Sequence, residues 1–245
     1  IVLSGGGTGI YISPQIDTYS GEGSAGVCDV NNNFISLTTT SADNGITLNA
    51  STINANVFHN TIHVSGNNSS SNAFYIDCSS FAIDCRNNIF ANHAYGRAIG
   101  GDLVGYDYNL VYSNGSHLCI GAADLDEWQS TYSRGEHSVS VDPYFTSETS
   151  FEVGNPLIQG RGIGIPEVTE DINGEARDAS NPDLGADEFT PSPVPLSGTY
   201  SIGGSGSPDY STIYDAVKSV VINGINGDVV FNLASGTYDE QVTIQ

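Results

Sequence analysis

Basic residues are scarce: six Lys plus Arg stand against 28 Asp plus Glu, for a formal charge of -22. A polyanion meets net repulsion from such a surface, so nucleic acid is excluded as a partner and an anionic membrane is a poor one. Cations are favoured, and the plainest use of the charge is solubility outside a cell. Methionine is absent, position 1 included, which suggests a processed or excerpted polypeptide. No stretch approaches the roughly 18 consecutive apolar residues of a membrane span, and the chain does not open on a charged-then-apolar leader. Membrane insertion is therefore not expected. Cysteine is limited to Cys28, Cys78, Cys85 and Cys119, none in a C-x-x-C pair, so neither a structural zinc site nor a dithiol redox motif is indicated. Disulfides in an extracellular setting and small buried thiols both fit these four.

Charged residues make up only 14% of the chain, while Gly, Ser, Thr and Asn crowd every segment. That balance withholds the Glu, Lys and Arg that helices use and suits short strands joined by turns. From Ile1 to about Phe145, apolar runs of four or five residues alternate with Gly, Asn, Ser and Asp, as in NNNFISL, NGITL, NANVFHNTIHV and NAFYIDC. Alternation such as Phe58, Ile62 and Val64, or Phe74 and Ile76, predicts strands with one face inward. A recurring unit places Asn before a short apolar pair: Asn33-Phe34-Ile35, Asn56-Val57-Phe58, Asn88-Ile89-Phe90 and Asn109-Leu110-Val111, spaced 23, 32 and 21 residues apart. Such variable spacing is that of a solenoid, in which loops lengthen without disturbing the stack. Asn suits its turns because it tolerates the left-handed backbone, and its amide donates and accepts along a ladder of identical neighbours.

Two long segments then carry a resemblance. YNLVYSNG (Tyr108 to Gly115), LDEWQSTYSRGEHSVSVDPYF (Leu125 to Phe145), SFEVGNPLIQGRG and DINGEARDASNPDLGADEF (Asp171 to Phe189) resemble the last coils and closing segment of secreted right-handed parallel β-helix proteins. These belong to the pectate-lyase-like superfamily, in the form found on bacterial surface proteins. A short helix is expected at Leu125 to Tyr132 with Asp124 as N-cap, and the polar closing segment reads as an irregular cap over the last coil. The Pro-rich stretch 190–198 (TPSPVPLSG) reads as a linker. Beyond it, YSIGGSGSPDYSTIYDAVKSVVINGINGDVVFNLASGTYDEQVTIQ resembles the opening of another β-helix: a cap helix, a strand, a G-T-Y-x-E turn and a second strand. Ser211 is the expected N-cap of a helix whose Ile213, Ala216, Val217, Val220 and Val221 form one buried face, with Gly224 and Gly227 ending it. Val229 to Leu233 and Gln241 to Ile244 then read as strands. The expected organisation is all-β: coils and closing segment over 1–189, linker over 190–198, and the cap helix and first strands of a following unit over 199–245.

That order, a closing segment followed by a start, predicts a structural rather than catalytic role. An uncapped solenoid end exposes unpaired backbone groups and a slice of core. The expected partner is another copy or repeat, with 200–245 of one unit meeting the Ile1 end of the next head to tail. The expected contact residues are Ile1, Val2, Leu3, Ile213, Val217, Val229, Phe231, Val242 and Ile244. The resemblance implies a cell-surface or extracellular location. It also leaves two alternatives, a carbohydrate-binding adhesin and a polysaccharide lyase or hydrolase.

Catalytic candidates are weak. Lyases of the superfamily use a basic residue, for which Arg86 and Arg97 lie in the coils; Asp77 with Asp84, and Asp102 with Asp107, are the nearest carboxylate pairs for hydrolysis. Solvated charge and turn formation explain all of them. The catalytic motifs of pectin methylesterases, which share the opening segment, would fall beyond Gln245, so none transfers. His59 and His63, four apart in an expected strand, would point the same way as half a metal site, although a plain surface position is favoured. No cofactor is expected. Asp171-Ile172-Asn173-Gly174 is similar to the start of a calcium loop but lacks its regular alternation of oxygens, which leaves calcium as the one open cofactor alternative. Glycosylation candidates are Asn49, Asn67, Asn68 and Asn114, each in an Asn-x-Ser triplet. Glycan contact would use Tyr75, Tyr95, Tyr106 and Tyr112 if these lined one groove.

Overall fold

Among the described residues, the first half of the computed structural model holds thirteen short strands: β1 Val2–Ser4, β2 Ile10–Ile12, β3 Val27–Asn31, β4 Phe34–Thr39, β5 Asn44–Asn49, β6 Asn54–Phe58, β7 Thr61–Gly66, β8 Asn72–Asp77, β9 Ile83–Arg86, β10 Ile89–Asn92, β11 Arg97–Gly101, β12 Tyr106–Asp107 and β13 Leu110–Ser113. The structure describes residues 1–4, 7–12, 27–49, 54–77, 82–101, 106–147, 149–240 and 242. They form two units, one of 1–153 with 157–189 and one of 154–156 with 190–245.

In the first unit each strand from β1 to β10 pairs in parallel with the strand three positions on, which gives sheet I (β1-β4-β7-β10-β13), sheet II (β2-β5-β8-β11) and sheet III (β3-β6-β9-β12). The chain visits I, II and III in turn, so this is a parallel β-helix. Register stacks like on like. Ile35, Ile62, Phe90 and Val111 form one inward column of sheet I, Ile46, Phe74 and Ile99 one of sheet II, and Val30, Val57, Cys85 and Tyr106 one of sheet III. All belong to one buried core, in which the Phe74 and Phe90 rings stack at 4.9 Å. Burial pushes the Cys85 thiol well above its usual range, helped by Asp84, and raises Cys119 to about 11 and Cys28 less far; all three are free thiols. Cys78 lies outside the described residues.

The turns between sheets III and I hold the Asn ladder. Asn33 Nδ2 donates to Asn60 Oδ1 (2.8 Å), Asn60 Nδ2 to Asn88 Oδ1 (2.9 Å) and Asn88 Nδ2 to Asn109 Oδ1 (2.9 Å). The backbone N–H groups of Asn33, Asn60 and Asn88 donate to the same acceptors. The ladder member of the second coil is Asn60, not Asn56: Thr61 separates Asn60 from its apolar partner and hid the motif, while Asn56 faces outward and donates to Asp29 Oδ1. The true spacings are 27, 28 and 21 residues. The residue before each ladder Asn takes the left-handed conformation: Asn32 (φ 53), His59 (φ 54), Asn87 (φ 61) and Tyr108 (φ 53).

Helix α1, Leu125–Tyr132, is capped by Asp124, whose carboxylate accepts from Glu127 N at 2.9 Å. It brings the fully buried Trp128 against Tyr106 (5.9 Å) and so closes the last coil. Residues 157–189 therefore do not cap that coil. They run as a brace along the flank, across the left-handed turns. Asn87 exchanges bonds with Ile163 and accepts at its carbonyl from Gly185 N; His59 Nδ1 lies 3.3 Å from Gly185 O; Asn32 donates to Glu170 O and accepts from Arg177 Nη2. Phe58 packs with Ile165 and Val168 of the brace. Gly185 (φ +95) must be glycine here, because a Cβ would stand 2.5 Å from Thr61 Oγ1. The reason for the correction is chemical: a row of turns with spare polar groups needs partners, and a turn-rich polar segment supplies them.

The second unit holds β14 Leu196–Ile202, α2 Ile213–Asn223 and β15 Ile225–Leu233, with β14 and β15 paired in parallel across the helix. β14 begins within the expected linker. Thr212, rather than Ser211, is the N-cap, accepting from Asp215 N at 3.0 Å, and Gly224 (φ 69) ends the helix. Glu240 accepts from Ile213 N and Tyr214 N, which fastens the G-T-Y-x-E turn to the helix start. Tyr200, Tyr210 and Phe231 meet at 5.8 to 5.9 Å.

Candidate functional site

The expected contact residues fall at two places, one in each unit. At the first coil, β1, β2 and β3 are the terminal strands of their sheets, each paired on one side only among the described residues. The amino terminus donates to Phe34 O at 2.8 Å, Ile1 stays 54% exposed, and Leu3, Ile10, Ile12 and Cys28 are only partly buried against the core. Tyr11 and Val27, which the sequence reading did not single out, are exposed at the same edge. The side chain of Val2 lies outside the described residues.

In the second unit, Ile213, Val217, Val229, Phe231 and Val242 are half-buried, and of the α2 residues only Ala216 is fully buried. Ile225 (57%), Val230 (49%) and Leu233 (51%) are largely exposed. Alternation through β15 was the signal that would have added Leu233 to the expected set. Ile244 lies outside the described residues. Each place thus joins a strand edge without a partner among the described residues to uncovered apolar side chains, a combination that favours strand addition by a further chain segment.

The chemical candidates are dispersed. Arg86 makes a two-bond ion pair with Asp84 (2.6 and 2.7 Å) and lies over the Phe58 ring. Asp77 accepts weakly from Asn49 (3.5 Å), Asp107 accepts from His137 ring and backbone (2.8 Å each), and Asp102 lies outside the described residues. Arg97 is half-buried in β11. His59 and His63 do not share a face: His59 sits in the turn and binds the brace, while His63 lies in β7 on the outer side of sheet I. Both are buried, not surface residues. Burial drives His59 down to about 3, and the nearby Arg177 cation adds to this.

Asp171 is a turn anchor. Its carboxylate accepts from the N–H groups of Asn173, Glu175 and Glu188, and these bonds outweigh burial to hold its pKa below the usual range. Among the described residues, no three His, Cys, Asp or Glu side chains converge as metal ligands. Tyr75 lies in sheet II, Tyr95 in an exposed turn, Tyr106 inside the core and Tyr112 on sheet I, so the four do not line one groove. Among the sequon residues, Asn67 is exposed; Asn68 accepts from Ser70 N, and Asn114 bonds Tyr95 N and His93 O through its amide.

One cluster was not anticipated. On the outer face of sheet I, His63 stacks on Phe145 (4.2 Å) and meets the His93 ring edge-on (5.1 Å), while His93 Nε2 lies 3.3 Å from Asp142 Oδ1. Tyr112 leans on His93 and bonds Asp142; burial, then that carboxylate, raises its pKa. Phe145, Ile158 and Leu184 close over this face with Ile89 and Leu110. The set holds a covering segment in place. Only the structure joins these residues, because His63 and Asp142 are far apart in sequence.

Among the described residues, no helix is long and apolar enough to cross a membrane. Comparison of the chain with protein-family models, curated proteins and solved structures finds no match.

Proposed function

We propose that the chain is an extracellular structural protein whose β-helix units join head to tail through the C-terminal segment. We further place it with the pectate-lyase-like surface proteins that its motifs resemble. One observation carries the reading. The second unit has the form of a solenoid start, a parallel strand pair spanned by a helix, yet Ile225, Val230 and Leu233 are left in solvent. Two strands alone are marginal in water, and a further strand with its apolar face is what such a start lacks. The first coil offers three parallel edges with no outer partner strand among the described residues, and partly covered Leu3, Ile10 and Ile12. A contact that uses different surfaces on its two sides repeats without closing, so the product is a filament.

The reading holds whether successive units are separate copies or repeats of a longer chain. Negative-stain electron microscopy of the purified chain tests it. Filaments with an axial repeat of one unit are the expected result; single particles at every protein concentration would refute it. Release of reducing or unsaturated sugar from polysaccharides would instead favour the enzymatic alternative.

A further inference from the structure

Five Asn-Gly pairs occur in the chain, beginning at Asn44, Asn114, Asn173, Asn223 and Asn226. The pair is a chemical liability, because glycine has no Cβ to shield its backbone nitrogen from the asparagine side chain before it. Four of the five are fastened by the fold. Asn44 Oδ1 accepts from Asn72 Nδ2 (2.8 Å), and Gly45 is buried against Ile62 and the Ala73 carbonyl. Asn114 accepts from Tyr95 N and donates to His93 O, while Gly115 N donates to Ser113 Oγ. Asn173 donates to Asp187, and Gly174 N donates to Asp171 O. Asn223 accepts from Val194 N and donates to Ser219 O, and Gly224 N donates to Val220 O at the end of α2. In the last three pairs both the attacking nitrogen and the amide it would attack are held in other bonds.

Asn226 is different. It is exposed in β15, and its amide has no hydrogen-bond partner among the described residues. The pairing of β14 with β15 also slips at this point. Leu196 pairs with Ile225 and Gly198 with Val229, so Asn226, Gly227 and Asp228 stand opposite Ser197 alone, in a bulge that loosens the ladder and lets the main chain bend. We infer that Asn226 is a site of spontaneous conversion to isoaspartate and that the conversion disables β15 as a joining edge, the second part resting on head-to-tail joining. The Gly227 nitrogen gives its proton to solvent base and attacks the Asn226 carboxamide carbon; the bond to Nδ2 breaks, ammonia leaves and a cyclic imide forms. Water then opens either C–N bond of the imide, which gives aspartate or isoaspartate with no change of oxidation state. Both products add a negative charge beside Asp228 to a chain already at -22. Isoaspartate also inserts a methylene into the main chain, and a period-two ladder cannot take up an extra backbone atom without losing register on one side of it. The insertion falls between Ile225 and Val230, the exposed apolar residues of that edge.

The purified chain is aged at mildly alkaline pH with and without urea, and each Asn-Gly pair is scored for isoaspartate by peptide mapping and by methyl transfer from an isoaspartyl methyltransferase. In the folded chain Asn226 should convert at least about ten-fold faster than any of the other four, which corresponds to about 1.4 kcal/mol in activation free energy. In urea the five rates should converge. Gly227→Ala should slow the conversion, and Asn226→Gln should remove it at that position. Equal rates in the folded chain, or a ranking that urea leaves unchanged, would overturn the site, because the fold would then not select it. Filaments are counted in the same samples. The parent chain should lose them as isoaspartate accumulates, while Asn226→Gln should keep after ageing the count it has when fresh. Conversion at Asn226 with undiminished filaments would overturn the effect on joining and leave the site in place. Absence of filaments from the fresh parent chain would overturn head-to-tail joining and the effect with it, and the site would then stand or fall by the mapping alone.

Discussion

The two units are made of similar strands, yet their apolar residues meet different fates. In the coils, Leu37, Ile46, Leu48, Ile62 and Phe90 are wholly buried, because strands above and below complete each inward column. In the second unit, Leu233 lies on the Phe231 face, the counterpart of those columns, and stays half in water, with no strand beyond β15 among the described residues. The lesson is that burial in a solenoid belongs to the stack and not to the repeat: one rung has the pattern but not the neighbours that would exploit it.

This comparison is broken most severely by Leu48→Asp, which puts a charge into a fully enclosed column. It is expected to cost more than about 4 kcal/mol and leave no cooperative unfolding transition by circular dichroism. Trp128→Ala opens the plug over the last coil at about 3 to 5 kcal/mol, read as a lowered denaturant midpoint. Asn88→Ala removes the central rung of the ladder and strands the Asn60 N–H and the Val57 carbonyl; about 3 kcal/mol is expected from the same measurement.

His59 sharpens the contrast through pH. Its folded pKa is depressed to about 3 while the unfolded chain takes the proton near 6.5. The stability it contributes is therefore complete above pH 6.5 and lost as pH falls towards 3. Asp183 and Asp187 act oppositely: burial raises each to about 6, so the folded state takes their protons first and gains stability as pH falls below 6. Replacing His59 by Gln should narrow the gap to the parent chain on acidification from pH 6.5 to 4, by on the order of a few kcal/mol in paired urea titrations. A gap that widens would show that the imidazole is charged in the fold. The smallest change in stability, under about 0.5 kcal/mol in the isolated chain, is expected for Leu233→Asp, the same substitution as Leu48→Asp in an unfinished column. Filament counts by microscopy should nonetheless drop to near zero.

Much of this architecture was legible along the chain. Period-two alternation gave the inward columns, and Asp124 with the following eight residues gave α1 with its cap, because these signals are local. The ladder was legible in kind but misplaced at Asn56, since Asn56 directly precedes an apolar pair while Thr61 follows Asn60, and only stacking decides which of the two turns inward. His59 and His63 were misread for a related reason: a left-handed residue at 59 breaks the strand on which four-residue spacing has meaning. The brace was mistaken for a cap because a turn-rich polar segment carries no address. The expected contact set at 229, 231 and 242 was legible as alternation; its exposure was not.

Composition and periodicity by themselves determined a parallel stack of short strands with Asn at its corners, because backbone conformation and side-chain alternation are properties of neighbouring residues. Tertiary structure alone decided where 157–189 would lie, which Asn would enter the ladder, that His63, His93, Tyr112 and Asp142 would meet, and which apolar residues would be left uncovered. Those outcomes depend on surfaces that exist only once the coils are stacked, and no local preference encodes them.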